Sequence, residues 1–165
     1  MVLFRAIVAL PLFVSVLMFL VHPRWMAWSA LGIPDWLRWI GAGLGLLSVP
    51  AAWWVFRSLG RNVSETMLTR ADQALVTTGP YRWVRHPLYA TSGTLFIGVG
   101  LTAANWFILL FAVLAVGLTF LVVVPLEEDA LMARFGDDYR EYMGRTGKLL
   151  PSFIRRVNGD VSAPR

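Results

Sequence analysis

Hydrophobic residues run along this chain in four blocks, each close to the length that crosses a lipid bilayer. The first block covers about residues 2–21, with Arg5 as its one charge and Pro11 as a kink site. The second covers about 36–56 and carries Arg38 near one end. From Pro87 to Leu126 the chain holds no charge for 40 residues. One crossing takes roughly 20 residues, so this run predicts a helical hairpin with spans at about 88–103 and 106–125. Its turn falls at Ala103-Ala104-Asn105. Glycines inside the blocks predict close helix packing, through Gly41 and Gly45 in the second and Gly93, Gly98 and Gly100 in the third. Gly41-Ala42-Gly43-Leu44-Gly45 follows no strand and is therefore no nucleotide-binding loop. The pattern predicts an all-α protein with one domain over 1–165. It is an integral membrane helical bundle of about four transmembrane helices with a C-terminal cytosolic amphipathic helix.

Composition agrees with lipid as part of the solvent. The chain of 165 residues is 57% hydrophobic and 15% charged, against about 45–50% and 25% in soluble domains. It has no cysteine, which excludes disulfides, thiolate metal sites and a cysteine nucleophile. The net charge of +5 suggests nucleic acid only until its placement is considered. Arg57, Arg61, Arg70, Arg82 and Arg85 lie between the second and third spans, and more arginines with Lys148 follow Leu126. The connection between the first two spans holds only Arg24 and, at its edge, Arg38. Positive-inside reasoning then puts both termini and the Arg57–Arg85 segment in the cytoplasm. Trp25, Trp28, Trp36, Trp39 and Trp106 form an outer aromatic belt, with Trp53 and Trp54 at the inner face. The first block also has features of a secretory signal peptide, with Arg5 ahead of its hydrophobic core and small residues at Ala27 to Ala30. Its length and the three spans that follow favour a retained span.

Polar residues with chemical potential gather in two stretches, 73–89 and 127–151, which the hairpin brings to one membrane face. His86 and Glu127, about 40 residues apart, become neighbours. Arg85-His86-Pro87 reads either as an interfacial pair capping a span or as a cationic pair for a ligand carboxylate or phosphate. Tyr81 and Tyr89 bracket it, as interface tyrosines or as pocket walls. Glu127, Glu128 and Asp129 read either as acids favoured at a helix start or as partners of a ligand ammonium or sulfonium. Leu131, Phe135, Tyr139 and Tyr142 recur at helical spacing and predict an amphipathic helix broken at Gly136. Metal binding by His86 and the glutamates has too few ligands, and no serine or threonine has a histidine–acid arrangement.

At these stretches the sequence resembles the isoprenylcysteine carboxyl methyltransferase family, integral membrane enzymes related to phospholipid methyltransferases. The resemblance rests on Leu75-Val76-Thr77-Thr78-Gly79-Pro80-Tyr81, Arg85-His86-Pro87-Leu88-Tyr89, Glu127-Glu128 and Phe135-Gly136-Asp137-Asp138-Tyr139-Arg140-Glu141-Tyr142. It runs from about Leu59 to Pro151. It implies S-adenosylmethionine bound on the cytosolic side, with contacts from Gln73, Ala74, Leu75, Val76, Tyr81, Arg85, His86, Pro87, Tyr89, Glu127 and Glu128. Among these, His86, Glu127 and Glu128 are the catalytic candidates. His86 or Arg85 suits the cofactor carboxylate, one glutamate its ammonium, and Leu75 with Val76 the adenine. The acceptor is lipophilic or lipidated and enters from the bilayer. Three departures loosen the acceptor's identity. Leu121-Val122-Val123-Val124 stands where family members have an arginine, Gln73 replaces a histidine, and Thr91 replaces a glycine. The acceptor is accordingly a lipophilic carboxylate, amine or thiol. A sterol-reductase-like enzyme using a reduced nicotinamide cofactor and a non-catalytic membrane scaffold are the alternative readings.

Overall fold

The structure, a computed structural model, describes residues 2–60 and 74–151, with side chains from Ile7 onward. The described residues are helical and form no strand. Helix α1 spans Val2–Val21 and keeps Pro11 inside it. A 3-10 turn at Pro23–Ser29 leads to α2, Asp35–Leu59. Asp35 in the first turn and Arg57 in the last suit the helix dipole, and Gly60 ends the helix at φ +52°. A second 3-10 turn at Gly79–Arg82 precedes α3, Pro87–Ala103, in which Pro87 takes the first-turn position where a missing N–H costs nothing.

The hairpin reverses where the sequence places it. Ala103 ends α3, Ala104 adopts a left-handed φ of +48°, and Asn105 caps α4, Trp106–Leu118. Helix α4 continues through a π turn at Thr119–Val123 into α5, Val124–Phe135. Val124 N–H reaches back to the Thr119 carbonyl, just ahead of Pro125, which has no N–H to give. Gly136, at φ +54°, breaks the chain direction before α6, Asp137–Arg145.

Glycine sets how closely the helices approach. A Cβ on Gly41 would lie 2.6 Å from the Leu101 Cβ, and one on Gly98 would lie 2.7 Å from the Gly41 carbonyl oxygen. Helices α2 and α3 thus touch backbone to backbone. Gly45 contributes its backbone to this contact, yet a side chain there would meet open space, so of the two α2 glycines only Gly41 must lack a side chain for the approach. Within the hairpin, a Cβ on Gly93 would lie 2.8 Å from Val116, and one on Gly100 the same distance from Leu109. Helix α1 closes the bundle through a small core of Leu12, Met26, Ile108 and Ala112. Large apolar residues face outward instead: Trp39 is 76% exposed, Leu46 73% and Leu121 72%. Such a surface is stable against lipid. Helix α2 and the continuous run Trp106–Phe135 are each long and apolar enough to cross a membrane.

Asn105 fastens the far end of the bundle. Its Oδ1 accepts from Ile108 N–H at 3.1 Å, and its Nδ2 donates to Ser29 Oγ at 2.7 Å and the Met26 carbonyl at 3.2 Å. Leu31 N–H adds a 2.6 Å bond to the Ala104 carbonyl. One buried amide therefore caps α4 and holds the connection from α1 to α2. Losing a cap costs about 1 kcal/mol, and stranding buried partners costs about 1–3 kcal/mol more. Asn105→Ala should lower stability by about 2–4 kcal/mol, read as a fall in melting temperature of the detergent-purified protein.

Candidate functional site

The entrance of α3 is built from three strands of logic in the chain: a proline that starts a helix, a return segment that pairs with it, and carboxylates on the far arm of the hairpin. Residues 83–86 run beside the segment that follows α6. Arg85 N–H donates to the Gly147 carbonyl at 2.8 Å, His86 N–H to that of Lys148 at 3.0 Å, and Gly147 N–H to that of Trp83 at 3.1 Å. This short parallel bridge fixes the backbone of Arg85 and His86. The hairpin then delivers α5 against their side chains.

Arg85 and Glu128 form a part-buried ion pair, Nε donating to Oε1 at 2.8 Å. The Arg85 guanidinium also donates to the carbonyls of Met143, at 3.1 Å, and Thr146. Lys148 Nζ meets the other Glu128 oxygen at 3.0 Å. Both Glu128 oxygens therefore have cationic partners. Burial works against the charge of Glu128, but the bonds from Lys148 and Arg85 outweigh it and hold the carboxyl below its usual range. The acids are not at a free helix start, as one sequence reading had it, because the helix runs unbroken from Trp106. Cations stabilise Glu128 here, and Asp129 points out to an exposed position.

His86 lies between the glutamates, its Nδ1 3.5 Å from Glu127 Oε2 and its Nε2 3.4 Å from Glu128 Oε1. Neither contact is a hydrogen bond, and three buried polar atoms here have no partner: His86 Nε2, Glu127 Oε2 and the Tyr139 hydroxyl. The Tyr89 ring stacks on His86 at 5.8 Å between centroids. Tyr142 donates to the Tyr81 carbonyl at 2.6 Å and so ties α6 to the 3-10 turn. Burial pushes the Tyr142 phenol up to about 12 and raises those of Tyr81 and Tyr139 as well, so all three stay neutral donors. Pro87 is buried at the α3 start. Ala74, Leu75 and Val76 form an irregular lead-in to the turn that holds Tyr81, Leu75 and Val76 half-buried and Ala74 exposed. Gln73 lies outside the described residues.

The sequence treats Tyr139 as packing and gives Lys148 no role, yet both stand in this cluster. Nothing in a helical stripe distinguishes a tyrosine that packs from one whose hydroxyl is left open. The open atoms offer two donors, on Tyr139 and His86, and one carboxylate acceptor, on Glu127, a set that a ligand bearing both an anionic and a cationic group would complete. A buried hydroxyl with no partner costs the fold its lost hydration. Tyr139→Phe should therefore raise stability by about 1 kcal/mol. Glu128→Ala, which strands Arg85, should lose about 3 kcal/mol. Parallel melts of the two variants check both values.

A family model described as phospholipid methyltransferase matches residues 36–138. The chain is 37% identical over 128 residues to the nickel-cobalt-cadmium resistance protein NccN of Alcaligenes xylosoxydans xylosoxydans, covering 73% of this chain and 54% of that one. It is 41% identical over 71 residues to the methanethiol S-methyltransferase of Mycobacterium tuberculosis, covering 43% and 28%. It is 28% identical over 138 residues to the cobalt-zinc-cadmium resistance protein CzcN of Cupriavidus metallidurans, covering 83% and 56%. Among solved structures, the eukaryotic intramembrane Ras methyltransferase, isoprenylcysteine carboxyl methyltransferase, superposes with a TM-score of 0.66 at 26% identity, over 88% of this chain and 51% of that one. The chain thus spans about half the length of the two metal-resistance relatives and of this methyltransferase, and less of the methanethiol enzyme.

Proposed function

We propose that this chain, which belongs to the phospholipid methyltransferase family, transfers a methyl group from S-adenosylmethionine to a lipophilic acceptor at the cytosolic face of the membrane. Its fold is that of an intramembrane methyltransferase. The observation that carries the reading is the trio of buried, unpartnered polar atoms on His86, Glu127 and Tyr139 at the base of α3. Natural proteins rarely leave such groups open unless a ligand or water completes them.

S-adenosylmethionine supplies an electrophilic methyl group on a sulfonium centre. His86 and Tyr139 orient its carboxylate, and Glu127 takes its ammonium. Glu128 is fully engaged by Arg85 and Lys148, so it positions the His86 side of the pocket, and Arg85 acts through it. Leu75 and Val76, with Ala74, Tyr81, Pro87 and Tyr89 beside them, complete the cofactor side; Gln73 is proposed there on resemblance alone. The residues' main task is alignment, since the transfer is a direct displacement that needs nucleophile, methyl carbon and sulfur in line. A carboxylate acceptor needs no base, whereas an amine or thiol gives up a proton to a glutamate or to water.

The same reading makes residues 1–165 one domain with four spans, α1, α2, α3 and α4, and both termini cytosolic. The distribution of arginines supports this orientation. The absence of native cysteine makes single introduced thiols unambiguous reporters. With Gly32→Cys and Gly144→Cys, a membrane-impermeant maleimide on intact cells should label the first and spare the second until the cells are opened. The reverse labelling refutes the orientation. For the cofactor, calorimetry on detergent-purified protein should show S-adenosylmethionine binding that Glu127→Gln weakens at least about 10-fold, the loss of one charged hydrogen bond. A folded wild type with no binding ends the methyltransferase reading.

A further inference from the structure

Away from the His86 cluster, the last turn of α2 abuts the 3-10 turn at Gly79–Arg82. The approach needs glycine: Gly79 has a left-handed φ of +60°, and a Cβ there would collide with Ser58 Oγ on α2. Trp54 and Trp83, one beside each element, meet edge to face at 5.6 Å between centroids. Each side of this contact also lays an arginine on an indole. The Arg57 guanidinium sits 5.1 Å from the centre of the Trp53 ring, and that of Arg82 sits 4.7 Å from the Trp83 ring. All five side chains are exposed.

Other arginines spend their charge on acids. Arg85 has Glu128, Arg140 has Asp137, and Arg145 has Glu141. Among the described residues, no carboxylate lies within ion-pair distance of Arg57 or Arg82. Two cations are thus brought to one edge of the bundle, each steadied by a ring and neither neutralised there.

We propose that this platform binds the phosphate headgroup of an anionic membrane lipid between Arg57 and Arg82. A guanidinium lying on an indole is contacted on its face, while its five N–H donors stay in its own plane. Those donors match the oxygens of a phosphate, which Arg takes in bidentate fashion. Depth supports a lipid as the source of that phosphate. Helix α2 is long and apolar enough to cross a membrane, and tryptophans near the end of such a span sit at headgroup level. Exposed Trp53, Trp54 and Phe56 offer the acyl chains an apolar surface directly beside the arginines. A free anion in water would use the charges and leave these rings idle.

The lipid is a companion of the fold and not the methyl acceptor, so its binding is independent of the transferase reading. It joins α2 to a segment that also supports the cluster. The Tyr81 carbonyl accepts from Tyr142, and the Trp83 carbonyl accepts from Gly147 N–H. An occupied platform therefore steadies the entrance of α3 from the side opposite α6.

The test uses the full chain in a neutral detergent. Dioleoylphosphatidylglycerol should raise its melting temperature, as a ligand of the folded state does. Dioleoylphosphatidylcholine, with the same chains and no net charge, should leave it unchanged at the same concentration. Each arginine near an anionic lipid surface contributes about fivefold in affinity, so Arg57→Gln with Arg82→Gln should weaken the apparent Kd for phosphatidylglycerol about 30-fold. Arg140→Gln with Arg145→Gln removes the same charge elsewhere and should change that Kd by less than about 2-fold. Native mass spectrometry should show a phosphatidylglycerol retained by the wild type and lost from the first double variant, whatever that variant's own melting temperature. Equal weakening in the two double variants means diffuse attraction and overturns the site. An equal shift with phosphatidylcholine overturns headgroup selection, and an equal shift with inorganic phosphate overturns the lipid as occupant.

Discussion

Arg85 donates to Glu128 on α5 and to the carbonyls of Met143 and Thr146, so one guanidinium ties the entrance of α3 to both elements beyond the hairpin. A part-buried ion pair of this kind adds little net stability over an apolar replacement, but losing one partner is costly because the other charge is stranded. Its value is therefore positional. With Arg85 and Lys148 saturating Glu128, the neighbouring Glu127 and His86 are held in place while keeping atoms free. Tyr139, whose α6 helix is bound through Tyr142 to the Tyr81 turn, completes the same wall.

The remainder of the fold makes that arrangement affordable in lipid. Association of helices in a bilayer gains nothing from moving leucine out of lipid, so close packing and satisfied polar groups must hold them together. Gly41 against Gly98, and Gly93 against Val116, supply the first. Asn105, which satisfies Ser29, Met26 and Ile108 at once, supplies the second. Asn105 and Arg85 lie at opposite ends of the hairpin, the first structural and the second beside the candidate chemistry.

Much of this was legible in the sequence, for definable reasons. The uncharged run from Pro87 to Leu126 has a length that only a hairpin satisfies, and its turn residues, Ala104 and Asn105, are small or good caps. Closing that hairpin makes His86 and Glu127 neighbours, a consequence of covalent connectivity. What the pattern could not show was the division of labour between Glu127 and Glu128. Adjacent residues on a helix differ by about 100° in direction, and which one meets Arg85 depends on how the return segment at Gly147 and Lys148 pairs with Arg85 and His86. Tyr139 was hidden in the same way, since burial and an open hydroxyl are both compatible with its place in an apolar stripe. The role of Gly45 also differed, because a span's glycines look alike until a neighbouring helix selects one face.

The π turn at Thr119–Val123 has a bearing on geometry along the whole arm. Inserting one residue into a helical turn rotates everything beyond it by about 100° relative to a straight α-helix. The azimuth of α5 is thereby uncoupled from that of α4, although the two form a single rod. The face of α4 is dictated by α1, α3 and lipid, and the face of α5 by Arg85, His86 and Lys148. A uniform helix would have one phase to reconcile both demands. Here the offset lets the membrane-embedded part and the carboxylate-bearing part be oriented independently, with Pro125 marking the joint.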